Sequence, residues 1–122
     1  MSTKRHVLVI DAGSSSVRTL IVEESGVIVG EGRSQISWKH RNPGWAELDP
    51  INLWKATRQT ILDAVIESGI SVSQIVAAGI TSHRETIMIW DKTTGEPVHD
   101  ALVWISSQTD EIIERWNSAG LA

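Results

Sequence analysis

Apolar residues fall in short, dense runs separated by polar turns. Val7-Leu8-Val9-Ile10 is continuous and stops at Asp11. An unbroken run of this kind predicts a central strand covered on both faces. Val17 to Val22 is a second β-rich run, and after a Glu24-Ser25-Gly26 turn Val27-Ile28-Val29 begins a third. Gly30 and Gly32 weaken that third strand or mark a bulge in it. Two successive hairpins predict the start of an antiparallel meander.

The spacing changes after Asp49-Pro50, an acidic N-cap residue followed by proline at the first helical position. Trp54, Ile61 and Val65, with Leu53, Thr57 and Ala64, share one face at helical spacing, Arg58 flanks them, and Gly69 supplies the stop. Between the third strand and this helix, Ser34 to Asp49 is irregular, with a turn at Arg41-Asn42-Pro43-Gly44. Beyond it, Gln74 to Ile80, Thr86 to Trp90 and Ala101 to Trp104 read as strands, the last two joined by a turn over Asp91 to Pro97. Asp110 to Ser118 predicts a helix with acids in its first turn and Ile112, Ile113 and Trp116 facing inward. Trp54 and Trp116 are assigned to the core. The order β-β-β-α-β-β-β-α is mixed α/β.

Composition narrows the partners more than the fold. Six Trp stand beside no Phe and no Tyr, so core volume must come from Ile, Val, Leu and Trp. A net charge of -4 with no basic cluster excludes a nucleic-acid footprint. The absence of Cys excludes disulfides, thiolate catalysis and Cys-ligated zinc, and it fits a cytoplasmic protein. The basic start, Lys4-Arg5-His6, is followed by too few apolar residues for a signal-peptide core or a membrane span. The four His show no metal-ligand spacing, and only His83 stands near a candidate site.

The chemistry gathers at two places. In Asp11-Ala12-Gly13-Ser14-Ser15-Ser16-Val17-Arg18, a strand ends in an acid, turns on glycine, exposes three hydroxyls and returns as a strand. Backbone N–H groups and hydroxyls of such a turn can converge on an anion, Asp11 can hold Mg²⁺ directly or through water, and Arg18 supplies positive charge. A polar turn started by Asp11 fits these residues as well. The second place is Arg84-Glu85, which offers a donor fork beside an acceptor pair, the combination a polyol hydroxyl needs. In a regular strand neighbours point to opposite faces, so both could reach one ligand only at a strand end or irregularity. An exposed, self-neutralising pair is the competing reading.

Asp-x-Gly-Ser-Ser-Ser-x-Arg between two strands resembles the first phosphate hairpin of the actin-like ATPase superfamily. Gly79-Ile80-Thr81-Ser82-His83-Arg84-Glu85-Thr86, the Gly95-Glu96-Pro97 turn and Ala101-Leu102-Val103-Trp104 are similar to the N-terminal part of the glycerol kinases. Those belong to the FGGY family of carbohydrate kinases. Pro43-Gly44-Trp45-Ala46-Glu47-Leu48-Asp49-Pro50 is similar to the same family's Pro-Gly-Trp-x-Glu-x-Asp-Pro signature. The resemblance covers essentially the whole chain.

The resemblance implies a partial ribonuclease H-like (actin-like ATPase) domain, with residues 1–122 forming the N-terminal part of the first kinase domain. It implies ATP and Mg²⁺ as cofactors and transfer of the γ-phosphoryl group to a polyol hydroxyl. Ser14, Ser15, Ser16 and Arg18 become contacts for the nucleotide phosphates, and Asp11 the Mg²⁺-organising carboxylate. Arg84 and Glu85 become partners of glycerol hydroxyls, with Trp104 an apolar wall. Departures gather near the acceptor: Ser82-His83 replaces the usual Asn-Gln, and Ile105-Ser106-Ser107-Gln108-Thr109 keeps only part of the usual Gln and Arg-containing polar run after Trp104, departing at Ile105 and Ser107; Val17 replaces a small polar residue in the hairpin. Xylulose, gluconate or erythritol are therefore alternative acceptors, and a non-catalytic nucleotide- or protein-binding module is an alternative role. The family's catalytic aspartate, its second phosphate hairpin and its C-terminal domain have no counterpart here, so the isolated chain is expected to be inactive. The expected partners are a small polyol or sugar and the remainder of a kinase chain, or a second copy through an exposed sheet edge.

Overall fold

The apolar runs do become a meander. In chain order the elements are β1 (His6–Ala12), β2 (Ser16–Glu23), β3 (Ile28–Gln35), β4 (Glu47–Leu48), α1 (Pro50–Ser68), β5 (Ile75–Ser82), β6 (Ala101–Leu102) and α2 (Asp110–Ser118). They come from a computed structural model that describes residues 4–121. The described chain forms two compact units, residues 4–37 with 51–84 and residues 38–50 with 85–121.

The first unit is a four-stranded sheet in the order β3-β2-β1-β5, antiparallel through the meander and parallel between β1 and β5. The long crossover that a parallel pair requires contains α1. Leu8 and Ile10 of β1, Val17 and Ile21 of β2 and Ala64 of α1 make the buried core, joined by Leu53, Ala56, Ile61 and Val65. Each of these larger side chains, fully buried, contributes about 1.5–3 kcal/mol. The hydroxyls of Thr19 and Thr60, both fully buried, meet at 2.8 Å. Thr60 donates its proton to the carbonyl of Thr57, so Thr19 is the donor to Thr60.

Gly30 and Gly32 prove to be contact points as well as weak spots. A Cβ on Gly32 would lie 2.1 Å from the carbonyl oxygen of Thr60, and one on Gly30 would lie 2.2 Å from that of Ala64. The two glycines let α1 rest directly on the backbone of β3. A register shift between Ile21 and Val22, facing this strand, is the irregularity they foreshadowed.

The helix expectation fails at one position, which lies at the edge of the stripe facing the sheet. A helix pressed onto glycine backbone takes small residues on its inner stripe, here Ala56, Thr60 and Ala64, and Trp54 is 58% exposed rather than core. β1 alternates between buried and accessible residues, because α1 covers one face of the sheet and Val7 stands exposed on the other.

In the second unit β4 pairs antiparallel with β6, and Ala46, Leu48, Ala101 and Val103 are buried there. The Arg41–Gly44 turn is present, with the N–H of Trp45 donating to the carbonyl of Asn42. Asp91 starts the expected turn by accepting from the N–H groups of Thr93 and Thr94, which lower its carboxyl pKa, Thr94 most. Thr86–Trp90 is not a strand: only single bridges, Ile87 with Leu102 and Trp90 with Pro97, survive. The strand expected over Ala101–Trp104 shortens to two residues, leaving Trp104 outside it. α2 has its expected bounds, but Ile112, Ile113 and Trp116 are exposed, because nothing among the described residues covers that face. No described helix is long and apolar enough to cross a membrane.

Candidate phosphate and acceptor site

Two motifs far apart in sequence meet at one end of the first sheet. β1 and β5 run parallel with their carboxyl ends together, Asp11 opposite Thr81 and Ala12 opposite Ser82. The pairing continues one residue past β5, where the N–H of His83 donates to the carbonyl of Ala12 at 3.1 Å. The carboxyl ends of parallel strands are where open α/β sheets bind ligands, since chain reversals there leave a crevice lined by backbone donors. Asp11, the Gly13–Ser16 turn and Arg84 all arise from this end.

The turn between β1 and β2 is tight. Ala12 pairs with Val17, and a Cβ on Gly13 would come within 2.9 Å of the carbonyl oxygen of Ser16. Glycine is thus needed for the turn to close, and Ser14, Ser15 and Ser16 follow with their hydroxyls. The N–H of Ile36 donates to the carbonyl of Ser15 and ties the turn to the end of β3.

Arg18 stands directly across from Asp11. Its Nε and Nη2 donate to the two carboxylate oxygens of Glu31 at 2.8 and 3.0 Å, a fork-on-fork pair. The Glu31 hydrogen bond and charge raise the Arg18 pKa, and Arg18 in turn lowers that of Glu31. Neither Glu31 nor its claim on Arg18 follows from the motif. The available signal was the alternation Gly30-Glu31-Gly32-Arg33, which puts the glycines under α1 and both charged residues on the opposite face.

Arg84 and Glu85 lie beyond the end of β5, and Glu85 has φ +60°. This is the irregularity that the two side chains need to escape strict alternation. Arg84 closes the first unit and Glu85 opens the second part of the other, and neither side chain makes a hydrogen bond or ion pair among the described residues. A left-handed φ on a residue with a Cβ costs about 1–2 kcal/mol. Glu85→Gly is therefore expected to be about 1 kcal/mol more stable than Glu85→Ala, although both lose the carboxylate. Urea unfolding of the two variants checks this; equal midpoints would mean the backbone is unstrained. His83 is partly buried, and desolvation lowers its pKa and keeps the imidazole neutral at pH 7. Trp104 belongs to the second unit, two residues after β6, and is 55% exposed.

The donor set fits a magnesium–nucleotide. Among the described residues no cluster of three His, Cys, Asp or Glu could hold a metal by itself. Mg²⁺ does not require one, because it takes one or two carboxylates, keeps waters and shares phosphate oxygens. Asp11 is exposed at the strand end, beside a turn with no room for a Cβ at Gly13, and suits that role.

Comparison with known proteins gives a consistent result. Residues 6–122 match the family model described as "FGGY family of carbohydrate kinases, N-terminal domain". A glycerol kinase of Shewanella woodyi is 38% identical over 119 residues, 98% of this chain and 24% of its own length. The chain thus spans about a quarter of the curated relatives it matches. A Plasmodium falciparum glycerol kinase solved with ADP superposes with a TM-score of 0.83 at 26% identity, covering 94% of this chain and 23% of that one. A gluconate kinase of Lactobacillus acidophilus has the same fold, with a TM-score of 0.86 at 17% identity over 98% of this chain and 23% of its own.

Proposed function

The chain belongs to the FGGY family of carbohydrate kinases, and on that premise we propose that it supplies the phosphate lip and part of the acceptor pocket of an ATP-dependent, glycerol kinase-like enzyme. One observation carries the reading. The β1–β5 pairing extends through His83 to Ala12, so the Asp11–Ser16 hairpin and Arg84 occupy the same sheet end.

In this reading the N–H groups and hydroxyls of Ser14, Ser15 and Ser16, with Arg18, hold the β- and γ-phosphates. Asp11 would hold Mg²⁺ directly or through water, and the ion would supply positive charge to offset that developing on the transferred group. Arg84 donates to an acceptor hydroxyl and Glu85 accepts from one, fixing which oxygen faces phosphorus, while the Trp104 indole covers the carbon chain. The acceptor oxygen bonds to the γ-phosphorus as the bond to the β–γ bridging oxygen breaks and ADP leaves. The hydroxyl proton goes to a carboxylate that the family carries further along its sequence, so these 122 residues alone bind without catalysing. The cysteine-free composition suits a cytoplasmic setting. The remaining kinase polypeptide would pair with the outer edge of β5, a strand of uncharged residues with seven of eight exposed.

The test is a chimera joining this chain to the remaining three quarters of a glycerol kinase relative. It is expected to phosphorylate glycerol, and Arg84→Ala should lower kcat/KM roughly 10- to 100-fold, the scale of a lost charged hydrogen bond. Xylulose, gluconate and erythritol are assayed beside it, since Ser82-His83, Ile105 and Ser107 alter the acceptor side. A folded chimera active on none of the four would overturn the kinase reading in favour of a non-catalytic module.

A further inference from the structure

The sheet face opposite α1 carries a charged row of which the hairpin motif supplies only Asp11 and Arg18. Val17, Thr19 and Ile21 are buried under α1, so Ser16 and Arg18 point to the other face; Gly30 and Gly32 touch α1, so Glu31 and Arg33 do the same. The registers place Thr81 beside Asp11, Asp11 beside Arg18 and Arg18 beside Arg33. With adjacent strands about 4.8 Å apart, this row crosses all four strands over about 14 Å. Gln35 pairs with Ser16 on the same face, one step nearer the hairpin.

The charges in this patch are not equivalent. Glu31 holds Arg18 by two hydrogen bonds and cancels its charge. Asp11 and Glu31 balance Arg18 and Arg33, so an anion recruits the guanidinium that is less tightly held by these acids. Arg33 is that one: it is exposed, its side chain makes no hydrogen bond or ion pair among the described residues, and it acts on Glu31 only through charge, behind Arg18. We infer that Arg33 is a second cationic contact for the polyphosphate bound at the β1–β2 hairpin, and that Glu31 acts as the counter-ion that restrains Arg18. This rests on the nucleotide reading of the hairpin and adds a contact to it. It makes an unusual demand, because removing one acid and removing one base of the same patch must act in opposite directions.

The experiment is an NMR titration of the ¹⁵N-labelled chain with Mg·ADP, following the Ser14–Ser16 amides and the Nε–H signals of Arg33 and Arg18. All are expected to shift along one isotherm. Arg33→Gln should weaken binding about fivefold, the scale of one exposed charge pair, and Glu31→Gln should tighten it by a similar factor. Arg33→Lys should restore most of the affinity, since the phosphate needs the charge more than the fork. Hairpin amides that move while Arg33 stays still, with Arg33→Gln binding like the parent, would overturn this inference and leave the nucleotide reading intact. Hairpin amides that do not move at millimolar Mg·ADP would overturn that reading and this inference with it. Weaker binding by Glu31→Gln would show that Glu31 positions Arg18 as a contact, and would overturn the restraining role given to Glu31.

Discussion

Gly32→Ala is expected to destabilise the first unit by about 3 kcal/mol, the upper end for overpacking, with a matching fall in the urea midpoint. The added methyl would lie 2.1 Å from the Thr60 carbonyl oxygen and within 2.9 Å of two further backbone atoms of α1. No rotamer relieves a contact with backbone, so the helix must lift from the sheet. Lifting it separates Thr19 from Thr60 and opens the core around Ile21 and Ala64. Against a typical total of about 5–15 kcal/mol, this is a large fraction for one methyl group. Gly79→Ala in β5 is the control, because a Cβ there meets nothing within 4 Å, and it should cost no more than about 0.5 kcal/mol. Gly69→Ala falls between them: it has open space, but φ +64° makes it strained by about 1 kcal/mol. Equal midpoints for the Gly32 and Gly79 variants would mean that α1 does not rest on β3.

That glycine pair marks the boundary between what the sequence discloses and what it does not. Pro50 and Gly69 are local signals, each acting through its own backbone, and they gave the helix bounds within a residue. The hairpin around Gly13 is local in the same sense. Trp54 departs from the core expectation because helical spacing defines a stripe without fixing its width. Trp54 stands about 100° around the helix from Leu53, outside the narrow stripe of Leu53, Thr60 and Ala64 that meets the sheet. Thr86–Trp90 has strand composition, but a strand exists only with a partner, and here Ile87 and Trp90 each find a single bridge. The candidate site divides likewise. Asp11 to Arg18 and Arg84-Glu85 were legible as motifs, and the need for an irregularity at Glu85 followed from strand geometry. The hold of Glu31 on Arg18 depends on the β2–β3 register, which is set partly by the shift at Ile21–Val22 and leaves no trace in either strand alone.

Arg41→Ala is expected to cost the second unit about 3 kcal/mol, the low end for stranding a buried charge, because Arg41 itself is more than half exposed. Its partner Glu47 belongs to the Pro-Gly-Trp-x-Glu signature and is fully buried on β4. The Arg41 Nε lies 2.9 Å from one Glu47 oxygen, an ion-pair distance without hydrogen-bond alignment, and the His99 Nε2 is 3.9 Å from the other. Removing the guanidinium therefore leaves a carboxylate beside one distant imidazole. The same substitution takes a donor from Asp100, whose pKa is lowered chiefly by Lys39 and secondarily by Arg41. A lowered carboxyl pKa stabilises fully above its unfolded value, about 3.9, and that stabilisation is lost as pH falls through the folded value. Lys39 still holds Asp100 in the variant, so the larger part of the loss must come from Glu47. Glu47→Gln separates the two effects: it removes the buried charge, leaves Arg41 bound to Asp100, and should cost about 1 kcal/mol. Combined with Arg41→Ala it should recover more than half of that variant's loss, a coupling measurable by urea unfolding in a double-mutant cycle. Strict additivity would instead assign the effect to Asp100 and leave the buried signature glutamate without an electrostatic role.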